Sequence, residues 1–413
     1  MTRTTDIVII GAGQAGLAMS RCLTGAGIDH VLLERGRVAE RWRARWDSLR
    51  LLTPNWMTRL PGFAYEGPDP HGFMQARDVA AMLDLYRSSF GAPVVENADV
   101  RRVTRLAGGF CVSGDAGELR ARGVVVATGA CDRPYVPALA SALPGSILQL
   151  TTETYRSPED TPQGGVLVVG ASATGVQLAD ELRRAGRRVV LAVGRHTRVP
   201  RRYRGRDIMW WLDRSGILDE PRPASMSPEA ARRQTSLQLV GTPENRDVGL
   251  ASLAALGVRI AGRVAAVEGT RVRFGPDLRE HVTRADAKLA RLLARIDAFA
   301  DELQGFASPC AGAHAAPDLG DGLADIDLAR EEIRTVLWAT GFCRDYSWLD
   351  IPVLDGDGEI VHADGVTPCP GLYVLGMPFQ SRRKSTFIDG VGADAHALAA
   401  RIRDSLRAAR DAA

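Results

Sequence analysis

Residues 6–16 read Asp-Ile-Val-Ile-Ile-Gly-Ala-Gly-Gln-Ala-Gly, and this stretch decides the fold. Asp6 to Ile10 is a short continuous apolar run of the kind buried on both faces of a parallel sheet. Gly11, Gly13, Gln14, Ala15 and Gly16 follow at once. A small-residue helical stretch then runs to Gly25 and Gly27, and Val31-Leu-Leu33 closes with Glu34. A lone GxGxxG says little. Strand, glycines, helix, strand and acid in that order predict a dinucleotide site. Gly11 would make the tight turn, and Gly13 would let the backbone approach a pyrophosphate. Gly16 would let the helix pack on the strand, and the helix N-terminus would supply the anion site. Glu34 lies 18 residues past Gly16, close to the spacing expected of an acid that accepts from ribose hydroxyls.

The signature recurs. Val166-Leu-Val-Val169 reads as a strand, followed by Gly170-Ala-Ser172-Ala173-Thr174-Gly175. Val176 to Ala185 reads as a helix, and Arg188 to Val193 as the next strand. Ser172 replaces the middle glycine. Two units predict two dinucleotides. The second unit ends differently, with Arg195 placed 20 residues past Gly175 where the first has its acid. An acid would repel a 2′-phosphate and an arginine would pair with it, so Arg195, with Arg198 beside it, predicts NADP. Ten arginines and no acid lie between Arg183 and Arg206. At the helix end, Arg183, Arg184, Arg187 and Arg188 predict a solvated basic face.

Composition limits the alternatives. With 45% hydrophobic and 24% charged residues over 413 positions, the chain is globular, of two to three domains. The formal charge, 52 − 49 = +3, lacks the excess of a nucleic-acid binder. All but two of the basic residues, Lys288 and Lys384, are arginine. No apolar run approaches the roughly 18 residues of a membrane helix, and Ile7 to Ile10 is too short for a signal-peptide core. Six scattered cysteines without a CxxC pair argue against a disulfide scaffold, a zinc site and a dithiol redox enzyme. Cys310 and His314 form a lone pair without further ligands, so no metal is expected. A soluble cytoplasmic protein is.

Two further strands end alike, in Ala127-Thr128-Gly129 and Ala339-Thr340-Gly341, small residues that can lie against a bound dinucleotide. Gly371 to Gly376 reads as another buried strand. After Gly390 a helix carries Leu398, Ile402 and Leu406 on one stripe. Its N-terminal end would face any anionic group beside Gly390. Leu289, Leu292, Leu293, Ile296, Phe299 and Leu303 mark a helix over about 284–304 with a core stripe. Gly305 to Asp325 reads as a surface loop.

Together these residues resemble the flavin-containing monooxygenase family (class B flavoprotein monooxygenases) of the short bacterial type, over nearly the whole chain. The resemblance rests on GAGQAG at 11–16, ERWRARWDSLRLLTP at 40–54, LPGF at 60–63, VATG at 126–129, GASATG at 170–175 and WATGF at 338–342. It implies an α/β fold of two Rossmann-like dinucleotide-binding domains, the NADPH domain (156–334) inserted into the FAD domain (1–155 and 335–413). It implies FAD reduced by NADPH, oxygen added at the flavin C4a, and transfer of one oxygen atom from that hydroperoxide to a small organic substrate. N- or S-oxygenation and Baeyer-Villiger insertion all fit, and neither nucleic acid nor membrane is a partner. Carried over by position, Glu34 and Arg35 would hold the FAD ribose end, with Arg41 and Trp42 near the cofactor. Thr53-Pro54-Asn55 resembles the segment where the family sets an asparagine beside flavin and nicotinamide. Asn55 is equally readable as a turn residue after proline.

The segment Leu148 to Pro158 resembles the family's linker fingerprint and keeps the aromatic as Tyr155, but Thr151 stands where a histidine is expected. An NADPH oxidase, or a reductase without oxygenation, is therefore the alternative, with a catalytically silent flavin-binding protein a third reading. Gly376 is followed by Met377 in place of the aspartate of related disulfide reductases. Trp56, Met57, Phe63, Met377, Phe379 and Phe387 are candidates for an apolar surround to the flavin. Trp210 and Trp211 read as a pocket roof or as core anchors.

Overall fold

The computed structural model describes residues 3–303, 306, 314 and 317–411. Two sheets organise it. The first has eight strands in the order Leu349–Asp350, Val100–Leu106, Gly109–Gly114, Gly117–Val126, Arg3–Ile10, His30–Leu33 and Val94–Val95, with Leu372–Val374 added beside Gly117–Val126. Arg3–Ile10 lies at its heart, parallel to both neighbours, with Ile9 opposite Leu32 and Val125. The second sheet is parallel throughout: Leu148–Thr151, Ile333–Trp338, Gly165–Val169, Val189–Ala192 and Arg259–Ala261. The central strands of both sheets are buried on both faces, as their unbroken apolar runs require.

Helix Gln14–Gly25 crosses from Arg3–Ile10 to His30–Leu33, and helix Ala173–Arg184 makes the matching crossover in the second sheet. The fold is α/β with two dinucleotide-binding units. The strands Leu148–Thr151 and Ile333–Trp338 carry the chain across and back, and both belong to the second sheet. Residue 335, where the sequence suggested a return to the first unit, therefore falls inside a strand bonded to Gly165–Val169.

The helix expected over about 284–304 spans Leu278–Leu303, with Leu289 and Ile296 buried and Leu303 exposed. The C-terminal helix spans Ile388–Asp411, burying Leu398 and Ile402 against Gln14–Gly25. Ten of the 21 residues of the Gly305–Asp325 loop, Cys310 among them, lie outside the described residues. No described helix is long and apolar enough to cross a membrane, and no cluster of metal-ligating side chains occurs among the described residues.

One basic-face expectation needs correcting. Arg187 is buried, because its guanidinium donates to the carbonyls of Pro158 and Thr161 (both 2.9 Å), Pro162 (3.1 Å) and the Gln163 amide oxygen (3.0 Å). It pins the 158–163 turn. Arg184 and Arg188 are exposed as expected and Arg183 is half-buried.

Candidate functional site

The two glycine loops are built alike. Gly11 has φ +103°, and a Cβ there would lie 2.7 Å from the Ala127 carbonyl oxygen. Gly170 has φ +111°, and its Cβ would lie 2.3 Å from the Ala339 carbonyl oxygen. Each Ala-Thr-Gly turn thus backs one loop. Ala127 N–H donates to Ile10 and Ala339 N–H to Val169, so each extends its central strand by one bond. Gly129 and Gly341 carry positive φ just beyond. At Gly16 and Gly175 a Cβ would fall 1.9 and 1.8 Å from the carbonyl oxygens of Gly11 and Gly170, so only glycine permits the helix to sit this close.

Gly13 differs. An added Cβ meets nothing within 4 Å, so the backbone faces open space. Gly13 and Ser172 are the N-caps of the two crossover helices, and neither supplies a side-chain hydrogen bond, although serine commonly does. Helices Ile208–Arg214 and Pro228–Arg232, by contrast, are capped by Asp207 and Ser227. The uncapped N–H groups with clear space before Gly13 are the donors an anion needs. A dinucleotide pyrophosphate fits both loops.

Glu34 is buried beside the first loop, accepting from Ala12 N–H (2.7 Å) and Gly36 N–H (3.1 Å). Each oxygen keeps lone-pair capacity for a ribose hydroxyl. Arg35 and Arg41 both reach Asp132 Oδ1 at 2.8 Å, and Arg41 also pairs with Glu153. Trp42 Nε1 donates to Gln14 Oε1 at 3.1 Å, laying the 40–43 turn on the first crossover helix. Thr53 is half-buried. Gly376, at φ +82°, would place a Cβ 2.9 Å from the Ala15 Cβ, so this strand end abuts the first loop. Gly390 packs its backbone on the Lys384 carbonyl, 1.8 Å from where a Cβ would sit.

In the second unit Arg195 is exposed and makes no hydrogen bond or ion pair among the described residues. Arg198 is half-buried, its Nε 2.6 Å from Asp286 Oδ1, so its charge already has a carboxylate. Asn55 is buried, its Nδ2 donating to the Asp69 carbonyl (2.9 Å) and its Oδ1 accepting from Met74 N–H (2.8 Å). The amide thus braces the 69–74 loop.

The apolar candidates are only partly gathered. Met57, Trp56 and Phe387 share one cluster with Trp210 and Trp211, while Met377 and Phe63 pack elsewhere. The tryptophan pair divides: Trp211 is fully buried and donates to the Tyr203 carbonyl (2.7 Å), whereas Trp210 is half-buried.

The profile described as pyridine nucleotide-disulphide oxidoreductase matches residues 8–209. A Geobacillus kaustophilus protein described as an uncharacterized oxidoreductase CzcO-like is 32% identical over 401 residues, covering 96% of this chain and 98% of its own. The chain belongs to the CzcO-like oxidoreductases. Indole-3-pyruvate monooxygenase YUCCA1 of Oryza sativa is 33% identical over 196 residues, 45% of this chain and 47% of its own. A flavin-containing monooxygenase structure from Stenotrophomonas maltophilia superposes with TM-score 0.65 at 19% identity, covering 97% of this chain and 98% of that one. A bacillithiol disulfide reductase from Staphylococcus aureus gives 0.61 at 13%, over 97% and 98%. The resemblance in fold to flavin-containing monooxygenases holds, and the protein is an oxidoreductase. The two matched groups are named for a flavin and a pyridine nucleotide, the kinds of cofactor expected together from the sequence.

Two features of this oxidoreductase escape sequence reading. Gln380 is buried, its Oε1 accepting from Gly376 N–H (2.9 Å); a lone glutamine in a loop gives no signal. Lys384 Nζ meets Asp219 (3.0 Å), Asp389 (3.2 Å) and Asp213 (3.6 Å), and Arg59 joins Asp213 (3.2 Å) and Asp389. Arg383 N–H and Lys384 N–H donate to the Glu220 (2.9 Å) and Leu218 (3.1 Å) carbonyls, sewing the C-terminal segment to the inserted one. Its one signal is a lysine in an arginine-rich chain: a compact ammonium serves several carboxylates where a planar fork serves one well.

Proposed function

We propose that this protein is an FAD- and NADPH-dependent monooxygenase acting on a small organic molecule. Two electrons come from NADPH; one atom of O2 enters the substrate, at nitrogen, at sulfur or beside a carbonyl, and the other leaves as water. The observation that carries the reading is the pair of matched, uncapped glycine cradles on a chain with no CxxC dithiol to pass electrons onward. Bound flavin supplies the electron transfer between nicotinamide and oxygen.

The side chains bind, orient and exclude water. The helix termini at Gly13 and Ser172 would hold the two pyrophosphates, Glu34 the FAD ribose, and Arg195 the 2′-phosphate of NADPH. The FAD part would comprise 1–155 and 335–413 and the NADPH part 156–334, less the two crossing strands. Met57, Trp56 and Phe387 would keep water from the reacting centre. A cytoplasmic setting accords with five free cysteines among the described residues.

One observation favours an NADPH oxidase. Thr151 stands in the crossing strand where the family histidine is expected, its hydroxyl turned to its own turn at Glu153 N–H (3.3 Å) and Thr154 (3.4 Å). The test measures NADPH loss, peroxide and product in one vessel under isotopically labelled oxygen, with amines, sulfides and ketones. Label in one product, matched to NADPH consumed, supports the monooxygenase. Peroxide equal to NADPH with every substrate, and no label, establishes the oxidase.

A further inference from the structure

A cavity of about 240 Å³ opens between the first unit's 56–71 linker and the inserted unit, with Trp56, His71, Arg202, Arg206, Asp207 and Trp210 in its lining. Two indoles face it, a surface suited to a flat ring. Its charge is one-sided. Arg202 and Arg206 are exposed and have no carboxylate partner among the described residues. Arg206 instead stands over the Trp210 ring, 5.5 Å from its centroid, so guanidinium and indole present together. The lone acid, Asp207, is already engaged, its Oδ1 accepting from Arg201 (2.5 Å) and from Met209 N–H (2.8 Å).

The cavity is also held in shape. Arg202–Asp207 is a hairpin, with Arg202 opposite Asp207 and Tyr203 opposite Arg206. Its turn takes left-handed φ at Arg204 (45°) and Gly205 (78°). Tyr203 donates to the Asp297 carboxylate at 2.8 Å, and Arg201, 1% exposed, donates to the Leu52 carbonyl at 2.8 Å. The hairpin bearing both cations, with Arg202 Nη2 donating to its own Gly205 carbonyl (2.9 Å), is therefore pinned to the first unit at Leu52. Little ordering remains to be done when a ligand enters.

We propose that this cavity binds an aromatic carboxylate, its ring against Trp56 and Trp210 and its acid group on Arg202 and Arg206. Such acids are the substrate class, which rests on the monooxygenase reading. Neutral aromatics fill the same space without engaging the guanidinium groups, and aliphatic acids engage them without covering the indoles.

The test is calorimetric titration of the oxidised holoenzyme with 2-naphthoate, 2-naphthamide and acetate. Charge-assisted hydrogen bonds should make the acid bind roughly ten- to a hundredfold tighter than its amide. Arg206→Gln, an exposed change that leaves thermal melting in place, should remove most of that preference. Trp210→Leu should weaken acid and amide alike. Equal affinity of acid and amide, or an Arg206→Gln protein that still prefers the acid, overturns the proposal. Binding is read without turnover: selective binding with no labelled oxygen in any aromatic acid overturns these acids as the substrate class and leaves the pocket standing.

Discussion

Gly13 and Gly16 sit three residues apart in one motif, yet substitution should break different properties at each. At Gly13 the backbone, φ −81° and ψ −168°, suits any residue, and an added Cβ meets nothing within 4 Å. Gly13→Val should leave apoprotein stability within about 1 kcal/mol of the parent, the scale of changing an N-cap residue. The new methyl groups fill the space a pyrophosphate needs, so flavin affinity should fall by about a hundredfold or more, or roughly 2.7 kcal/mol. At Gly16 an added Cβ lies 1.9 Å from the Gly11 carbonyl oxygen, and backbone cannot step aside as a side-chain tip can. Gly16→Ala must push the helix off the sheet, costing about 1–3 kcal/mol or more. In a unit of this size that is roughly 2–4 °C of melting temperature per kcal/mol. Apoprotein melting measures the first property, and flavin absorbance after desalting, with a fluorescence titration, measures the second. A Gly13→Val protein that keeps its flavin, or that melts as early as Gly16→Ala, would refute the reasoning.

Three further outcomes are expected. Arg195→Ala should weaken NADPH roughly ten- to a hundredfold in KM and leave NADH nearly unchanged; equal loss for both would place Arg195 on their shared part or in the fold. Asn55→Ala should lower stability by about 1–3 kcal/mol by leaving Met74 N–H unpaired and the Asp69 carbonyl with Gly72 N–H alone. If it instead abolishes turnover at unchanged stability, the amide belongs to the reaction. Burial pushes the Glu181 carboxyl up to about 7, with Glu159 and Asp47 adding to the rise against the lowering influence of the nearby Ser48 and Tyr155 hydroxyls. The native state then binds more protons than the unfolded chain between about pH 4.5 and 7, so stability should fall as pH rises through that window. Glu181→Gln should flatten melting temperature against pH there, and an unchanged slope would remove Glu181 as its source.

What the sequence made legible is local or repeated. Strand, glycines and helix adjoin in the chain, so both crossovers, the Gly11 and Gly170 turns and the long C-terminal helix could be read from periodicity and glycine placement. Parallel partners are distant in sequence, and the pairing of Ile333–Trp338 with Gly165–Val169 has no local signature. The same distance hides side-chain commitments. Arg198 looked available until Asp286, on the Leu278–Leu303 helix, proved to hold it. Arg187 looked solvated until the carbonyls of 158–162 closed around it. Asn55 carries a motif position, but its partners at 69 and 74 belong to no pattern. Trp210 and Trp211 are adjacent, so composition cannot separate them; helical geometry turns one inward and the other toward the Arg206 side.

The seam at Lys384 bears on motion. A two-unit protein is commonly free to swing about its crossing segments, here the strands at 148–151 and 333–338. Attachments beyond those strands, this seam and the Arg201–Leu52 bond among them, turn a hinge into a frame. Rotating the inserted unit would load the Glu220–Arg383 and Leu218–Lys384 backbone bonds, and with them the ammonium shared by Asp213, Asp219 and Asp389. Salt would soften the ionic share of that attachment and spare the backbone share. Because Asp389 stands in the first turn of the C-terminal helix, torque on the inserted unit arrives there directly and bypasses the sheet behind it.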